Sequence, residues 1–479
     1  MKYEAVIGLE VHVQLQTQSK IFSPSSAEFG GDANTKVDPV VIGMPGVLPV
    51  LNKKVVEYAI KMGLATNCSI AKHSIFARKH YFYPDLPKGY QISQYEEPIC
   101  EHGFIEVKDD DGHLRKINII RIHLEEDAGK SVHAEDYVSK NETLIDLNRA
   151  GVPLIEIVTG PDFRSPQEAY QYLTKIRQIV RYLGICDGNM DEGSMRCDAN
   201  VSVRPVGQKE LGTKTELKNM NSIRGVERAL EYEIKRQIGI VEDGETIEQE
   251  TLLWDANKNI TITMRSKEYA HDYRYFPDPD LVPVIVADEW RDSIAADLPE
   301  LPESRKQRFI SEFGLPEYDA TVLTEERELA DYFESTAKAS KDPKAASNWI
   351  MGDVLRILKD QKLEITDFSV PESNLAELIN LVVEDKISQK IGKQVLDEML
   401  ASGKTAQKIV EEKGLVQISD SGAIEQMIDN VLAAHPEEFD RFTAGDMKLM
   451  GFFIGQIMQA SKGKVNPKMA SEILRKKVG

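Results

Sequence analysis

The 479-residue sequence holds only four cysteines, Cys68, Cys100, Cys186 and Cys197, and no two of them form a C-x-x-C pair. That scatter signals neither a disulfide framework nor a structural zinc knuckle. No stretch reaches the roughly 18 consecutive apolar residues of a membrane span, and the opening MKYEAVIGLEVHV lacks a basic region followed by an apolar run. A cytoplasmic protein without membrane contact is the expectation. Positive charge is in deficit as well, since 59 Lys and Arg against 78 Asp and Glu leave a net charge of -19. This argues against wrapping a long duplex, because nucleic-acid affinity comes largely from cations meeting phosphates. Any such contact is local. The C-terminal end breaks the acidic balance, with Lys448, Lys462, Lys464, Lys468, Arg475, Lys476 and Lys477 against the single acid Glu472. A nucleic-acid-binding face and a solvated helical tail both fit that charge run.

What is present is the composition of an ordinary globular chain, 41% hydrophobic and 29% charged, of a length that predicts two or three domains. From residue 3 to about 286, short period-2 segments alternate with Gly, Pro and Asn turns, which reads as largely antiparallel sheet. Two helices interrupt it. One opens on the capping box Ser165-Pro166-Gln167-Glu168 and carries Ala169, Leu173, Ile176, Val180 and Leu183 before Gly184; the other begins near Asn52 and runs through Val56, Ile60 and Leu64. At 296–303 two prolines precede a second capping box, Ser304 with Gln307, and everything beyond reads helical, as in 375–383 and 424–433. The expected fold class is α+β. A mainly antiparallel β domain with helices occupies 1–294, an all-α helical domain 295–403, and a small α-helical tail domain 404–479.

The first strand carries Leu9, Val11, Val13 and Leu15 on one face and Glu10, His12 and Gln14 on the other. A carboxylate beside an imidazole suits a divalent cation, and a wet face of an antiparallel sheet gives the same alternation. Four later segments repeat the design: Arg121, His123 and Glu125; Asp198, Asn200, Ser202 and Arg204; Lys214, Glu216 and Lys218; Thr261, Thr263 and Arg265. A wet sheet face favours Thr, Lys and Glu but makes no demand for His, Asn or Arg. Strands lining one concavity in this way would build a site for a magnesium nucleotide, acids holding the ion and cations neutralising phosphoryl oxygens.

The segment EDAGKS at 126–131 approaches a phosphate loop, yet Leu124 stands where glycine is needed and no helix pattern follows Ser131. A P-loop fold is rejected. The aromatic runs at 81–90 and 273–280 mix rings, cations and prolines, suited either to stacking a base or to rigid packing. No Cys sits in a glutaminase-like setting, and no Gly/Ser-rich stretch resembles the amidase signature, so the chain has no evident means of making ammonia.

Long strings in order, namely VIGLEVH at 6–12, PGVLP at 45–49, KHYFYPDLPKGYQISQ at 79–94, HLEEDAGK at 123–130, NRAGVPLIE at 148–156, GSMRCDANVS at 193–202 and YRYFPDPD at 273–280, resemble the B subunits of bacterial aspartyl/glutamyl-tRNA amidotransferases. The likeness extends over essentially the whole chain. It implies a cradle-like sheet domain with a kinase and transamidase site, then a helical domain and a tail that bind tRNA. It also implies ATP and Mg²⁺, an amidase A subunit and a small C subunit as partners in a heterotrimer, and mischarged Glu-tRNA(Gln) or Asp-tRNA(Asn) as substrate. Carried over, Glu10, His12 and Glu125 are the first-choice catalytic and metal-binding residues, with Glu126, Asp198 and Glu216 as further acids. Lys79, Lys130, Arg196 and Lys214 would face phosphate or the charged tRNA end. A non-catalytic tRNA-binding scaffold and an adenylate-forming ligase remain the alternatives.

Overall fold

The computed structural model describes residues 2–133, 142–266, 273–417, 421–461 and 464–478; Lys462 of the basic tail lies outside them. The chain divides into two compact units, Met1–Leu301 and Pro302–Gly479. The first is built on a nine-stranded sheet of β1 (Tyr3–Gln14), β2 (Ser69–Ile70), β3 (Cys100–Lys108), β4 (Leu114–Glu126), β5 (Pro153–Thr159), β6 (Met195–Pro205), β7 (Thr215–Met220), β8 (Glu250–Asp255) and β9 (Ile260–Ser266). Their order across the sheet is β9-β8-β7-β6-β1-β5-β4-β3-β2. The β7–β8 pair is parallel, whereas β1 pairs antiparallel with both of its neighbours.

Three helices, α1 (Lys53–Ala65), α2 (Pro166–Tyr182) and α3 (Ile223–Glu242), bury their apolar stripes against one face of this sheet. Val56 and Ile60 of α1, Leu173 and Ile176 of α2, and Val226 and Leu230 of α3 join Leu9, Val11, Val13, Ile155 and Ile157 in a single core. An antiparallel sheet covered on one side leaves the other side free for polar residues, so alternation along each strand sorts chemistry from packing. Ser165 caps α2 by accepting from Glu168 N at 3.3 Å, and Asn52 caps α1 by accepting from Lys54 N at 2.9 Å.

Helix α3 lies outside the sequence expectation. Its cap, Ser222, accepts from Gly225 N at 3.0 Å, so the third helical position is glycine where a capping box has Glu or Gln, and the local signal is lost. The helix opening the second unit, Pro302–Phe313, begins before Ser304, which places Ser304 and Gln307 inside its first turns and not at a capping box. The last strand presents Thr261 and Thr263 to the face opposite the one the sequence suggests. Buried Leu252 and Trp254 turn toward the helices, Thr261 pairs with Trp254 and Thr263 with Leu252, and Thr261 donates to Glu233 of α3 at 3.3 Å. Those threonines therefore leave the polar face.

The second unit is helical, with two separate apolar clusters. The first gathers Phe309, Phe333, Trp349, Leu378 and Val395, and takes in Ala406, Ile409 and Val410; the second gathers Ile424, Ile428, Phe442, Phe453 and Leu474. Glycine at 392 has a steric reason, since a Cβ there would come within 3.1 Å of the Trp349 ring. Among the described residues no helix is long and apolar enough to cross a membrane. The fold is α+β, a mostly antiparallel sheet region with helices followed by a helical region.

Candidate functional site

Strand register brings the polar positions of β4, β5, β1, β6 and β7 onto the face opposite the helices. His12 stands between Glu156 on β5 and Arg196 on β6, Glu156 pairs in turn with His123 on β4, and Glu10 pairs with Asp198. The centre is a quartet of two imidazoles and two carboxylates. His12 Nε2 lies 3.5 Å from Glu156 Oε2 and 3.9 Å from Glu125 Oε1, while His123 Nε2 lies 3.3 Å from Glu156 Oε2 and 3.7 Å from Glu125 Oε2.

Electrostatics follow from this packing. Burial works against charge on His12, but its hydrogen bond and charge interaction with Glu156 prevail and its pKa lies above the ordinary value. Burial opposes charge on His123 as well, and the charge of Glu156 lifts it to about 9. Glu156 answers in the opposite sense: desolvation would raise its pKa, yet His123 and His12 hold it well below the carboxylate range. Glu10 is different, because burial and the nearby charges of Glu156 and Asp198 push its carboxyl up.

One ligand atom from each of His12, Glu125 and Glu156 falls within 4.8 Å of the others, a separation that a single cation can bridge. Carboxylate oxygens with one imidazole suit a hard divalent ion such as Mg²⁺ or Mn²⁺, and the donor set also admits Zn²⁺. An imidazole ligates only when neutral, so cation binding at His12 competes with its protonation.

Around the quartet lie fixed cations. Asn200 Nδ2 donates to Glu10 Oε1 at 3.1 Å, and Lys218 is held between Asp198 and Glu216, 3.1 Å from Glu216 Oε1. Arg196 Nη2 donates to Asp127 Oδ2 at 2.7 Å, an oxygen that also accepts from Gln14. Lys79 arrives from a separate three-stranded sheet formed by Ala77–His80, Tyr90–Ser93 and Phe276–Pro277. Burial disfavours its charge, but Glu125 and the neighbouring Tyr275 and Glu156 keep its pKa above the usual lysine value. The two aromatic runs close around it: Lys79 Nζ sits 6.0 Å from the Tyr81 ring centre and 5.1 Å from that of Tyr273.

The residues expected from sequence divide accordingly. Glu10, His12, Glu125, Asp198, Glu216 and Arg196 share one face, Lys79 reaches it from the side, and Lys214 lines a cavity beside Glu10. Glu126 does not join them, for strand alternation turns it away and its carboxylate is occupied by Lys88 and by Ile92 N at 2.9 Å. Lys130 also stands apart, exposed on a two-stranded ribbon with Thr143–Asp146. Sequence reasoning misses Glu156 and gives His123 no role, although Glu156 is the one charged residue in the apolar strand PLIEIVT. That isolated acid is the available signal.

The GatB/GatE catalytic domain family matches residues 5–292, and the GatB domain family matches residues 331–478. The B subunit of the aspartyl/glutamyl-tRNA(Asn/Gln) amidotransferase of Chlorobaculum tepidum is 59% identical over 475 residues, covering 99% of both chains. The proteins of the same name from Thermodesulfovibrio yellowstonii and Pelodictyon phaeoclathratiforme are 57% identical over 476 residues and 58% over 478, covering 99% and 100% of both chains. The sheet unit that assembles the His12–Glu125–Glu156 cluster is thus the one matched as a catalytic domain, and the chain belongs to the GatB/GatE family.

Proposed function

We propose that this chain is the activating and transferring subunit of a tRNA-dependent amidotransferase, converting Glu-tRNA(Gln) to Gln-tRNA(Gln), Asp-tRNA(Asn) to Asn-tRNA(Asn), or both, in the cytoplasm. The observation that supports it most is the cation-sized cluster of His12, Glu125 and Glu156 on a polar sheet face edged by Lys79 and Lys218. A carboxylate is a poor acyl donor until one of its oxygens becomes a leaving group, and phosphorylation by ATP supplies that change. The side-chain carboxylate of the mischarged residue attacks the γ-phosphorus, ADP departs with the bonding electrons, and an acyl phosphate remains. Ammonia then adds to the acyl carbon, inorganic phosphate leaves, and a proton is lost to give the amide.

His12, Glu125 and Glu156 would hold Mg²⁺, which when bound supplies positive charge to the phosphate oxygens. Glu10, with its raised pKa, stands beside them to handle a proton, while Asn200 orients it. Lys79 and Lys218 offer positive charge to the transferring group, and Asp127 fixes Arg196 at the edge. The ammonia comes from an amidase A subunit, with a small C subunit completing the heterotrimer. Consistent with that division, all four cysteines are buried and desolvation raises each thiol, Cys186 to about 12, which is the reverse of what a nucleophilic thiolate requires. Assembled with its partners and mischarged tRNA, the protein should form ADP, and His12→Ala should abolish that while glutamine hydrolysis persists. Full ADP formation by the His12→Ala complex would leave a tRNA-binding scaffold as the better reading.

A further inference from the structure

The strand Ala77–His80 carries Lys79 to the cluster, and alternation turns Arg78 and His80 to its other side. Segment 273–280 runs along the edge of this strand, paired with it only at Phe276 and Pro277. A proline offers no N–H to a ladder, so that pairing alone is a weak anchor. Side chains complete it at both ends. Arg78 Nε donates to Asp278 Oδ2 and Arg78 Nη2 to Asp280 Oδ2, each at 2.9 Å, while the guanidinium lies 4.3 Å from the Tyr90 ring centre. At the other end His80 N donates to Tyr273 O at 2.9 Å, its Nδ1 donates to Arg274 O at 3.1 Å, and its ring stacks on Phe276 at 5.1 Å. Arg274 is held there at a φ of +46°, a left-handed conformation that side chains disfavour. The Asp278 side chain is 0% exposed and that of Arg78 18%. Burying such a pair costs about as much as its attraction returns, so its main effect is to select one geometry.

We propose that Arg78 and His80 are positioning residues for phosphoryl transfer: by latching segment 273–280 to the strand they set Lys79 against the His12–Glu125–Glu156 cluster. The assignment rests on the reading of Lys79 given above, as a cation facing the transferring group. A lysine ammonium rides on a flexible four-carbon stem, so its place depends on what confines it. One confining wall is the Tyr273 ring, 5.1 Å from Lys79 Nζ, and it belongs to the latched segment. Glu125 and Glu156 draw Lys79 toward the cluster, and the latch fixes the strand from which it reaches. Arginine is the residue suited to this task, since its planar fork meets two carboxylates at once, which a lysine does not reproduce.

The test follows ADP formation by the assembled complex with mischarged tRNA and Mg-ATP, with glutamine hydrolysis confirming assembly. Arg78→Lys keeps the charge but loses the fork. It should lower kcat about tenfold, with KM for ATP and for tRNA within about twofold of the parent, because a catalytic group misplaced by about 1 Å costs up to about 100-fold. His80→Ala should act likewise, and His80→Asn, whose amide still donates to Arg274 O, should restore most of the rate. In a Lys79→Ala background the Arg78→Lys loss should shrink to about twofold or less, because the latch acts through Lys79. Equal losses in both backgrounds overturn the proposal, as does a raised KM with kcat unchanged. Should Arg78→Lys fail to assemble, Asp280→Asn, which releases only the more exposed arm of the fork, enters the same cycle and is judged by the same outcomes. A Lys79→Ala complex as active as the parent refutes the reading of Lys79 and this proposal with it, whereas equal losses in the two backgrounds refute the latch alone.

Discussion

Replacing Glu156 by Gln removes the charge at the middle of the quartet and keeps its shape. In the parent chain this carboxylate lies 3.5 Å from His12 Nε2 and 3.3 Å from His123 Nε2, and it is the largest favourable contributor to charge on both imidazoles. Removing one partner of a buried ion pair costs about 3–5 kcal/mol, and an amide that still accepts a hydrogen bond should bring the loss to the lower part of that range. The metal site loses more selectively, since one of its anionic donors becomes a neutral amide oxygen. A deficit of about 1.5–3 kcal/mol for a charge-assisted contact corresponds to a roughly 10- to 100-fold weaker cation. The assay is ADP formation by the assembled complex titrated with Mg²⁺ at saturating ATP and mischarged tRNA. Half-saturating Mg²⁺ should rise by about 10- to 100-fold, with part of the rate recovered at high metal and glutamine hydrolysis unchanged. An unaltered Mg²⁺ dependence in a folded Glu156→Gln complex would refute the assignment of Glu156 to the cation.

Three further outcomes follow from other parts of the chain. The native protein at pH 8 should leave its four cysteines unreacted with a thiol-specific disulfide reagent and expose them all on unfolding, because each is buried with its thiol pKa raised. Rapid modification of any one in the folded state would contradict the packing. In the helical unit, Glu334 accepts hydrogen bonds from Arg308, Lys338 and Arg305, which hold its carboxyl at about 2 against an ordinary 4.5. A depressed carboxylate stabilises above its unfolded pKa and loses that contribution as pH falls through the folded value. Glu334→Gln should therefore cost about 1–2 kcal/mol in urea unfolding at pH 7 after discounting for solvent screening, and the gap should narrow from pH 4.5 toward 2. A gap independent of pH would reject the ion network. Ending the chain after Gln417 spares Ala406, Ile409 and Val410 of the first helical core, and should weaken tRNA binding and flatten its salt dependence with little effect on glutamine hydrolysis. Undiminished tRNA affinity would make the basic end an ordinary solvated helix.

Much of the site was legible because β1 obeys a strict alternation that sorts Glu10, His12 and Gln14 from Leu9, Val11 and Val13. Register was not legible. Nothing in a single strand says that His12 stands beside Glu156 and Glu156 beside His123, so the partner that tunes both imidazoles is invisible without the fold. Nor does alternation say which face a strand presents, as Thr261 and Thr263 show by pairing with buried Trp254 and Leu252. Glu126 illustrates a different limit: adjacent acids on a strand face opposite ways, so Glu125 enters the site and Glu126 pairs with Lys88. Helix α3 escapes notice because Gly225 occupies the position where a capping box would have announced it.

The central claim is that this chain activates a tRNA-bound carboxylate by phosphorylation. The most direct measurement incubates the assembled complex with mischarged tRNA and Mg-ATP, withholds the amide donor, and adds hydroxylamine. Formation of ADP, together with a hydroxamate on the side chain of the tRNA-linked residue, is the predicted result, since hydroxylamine intercepts an acyl phosphate as ammonia does. Release of AMP and pyrophosphate, or ADP without hydroxamate, would contradict it.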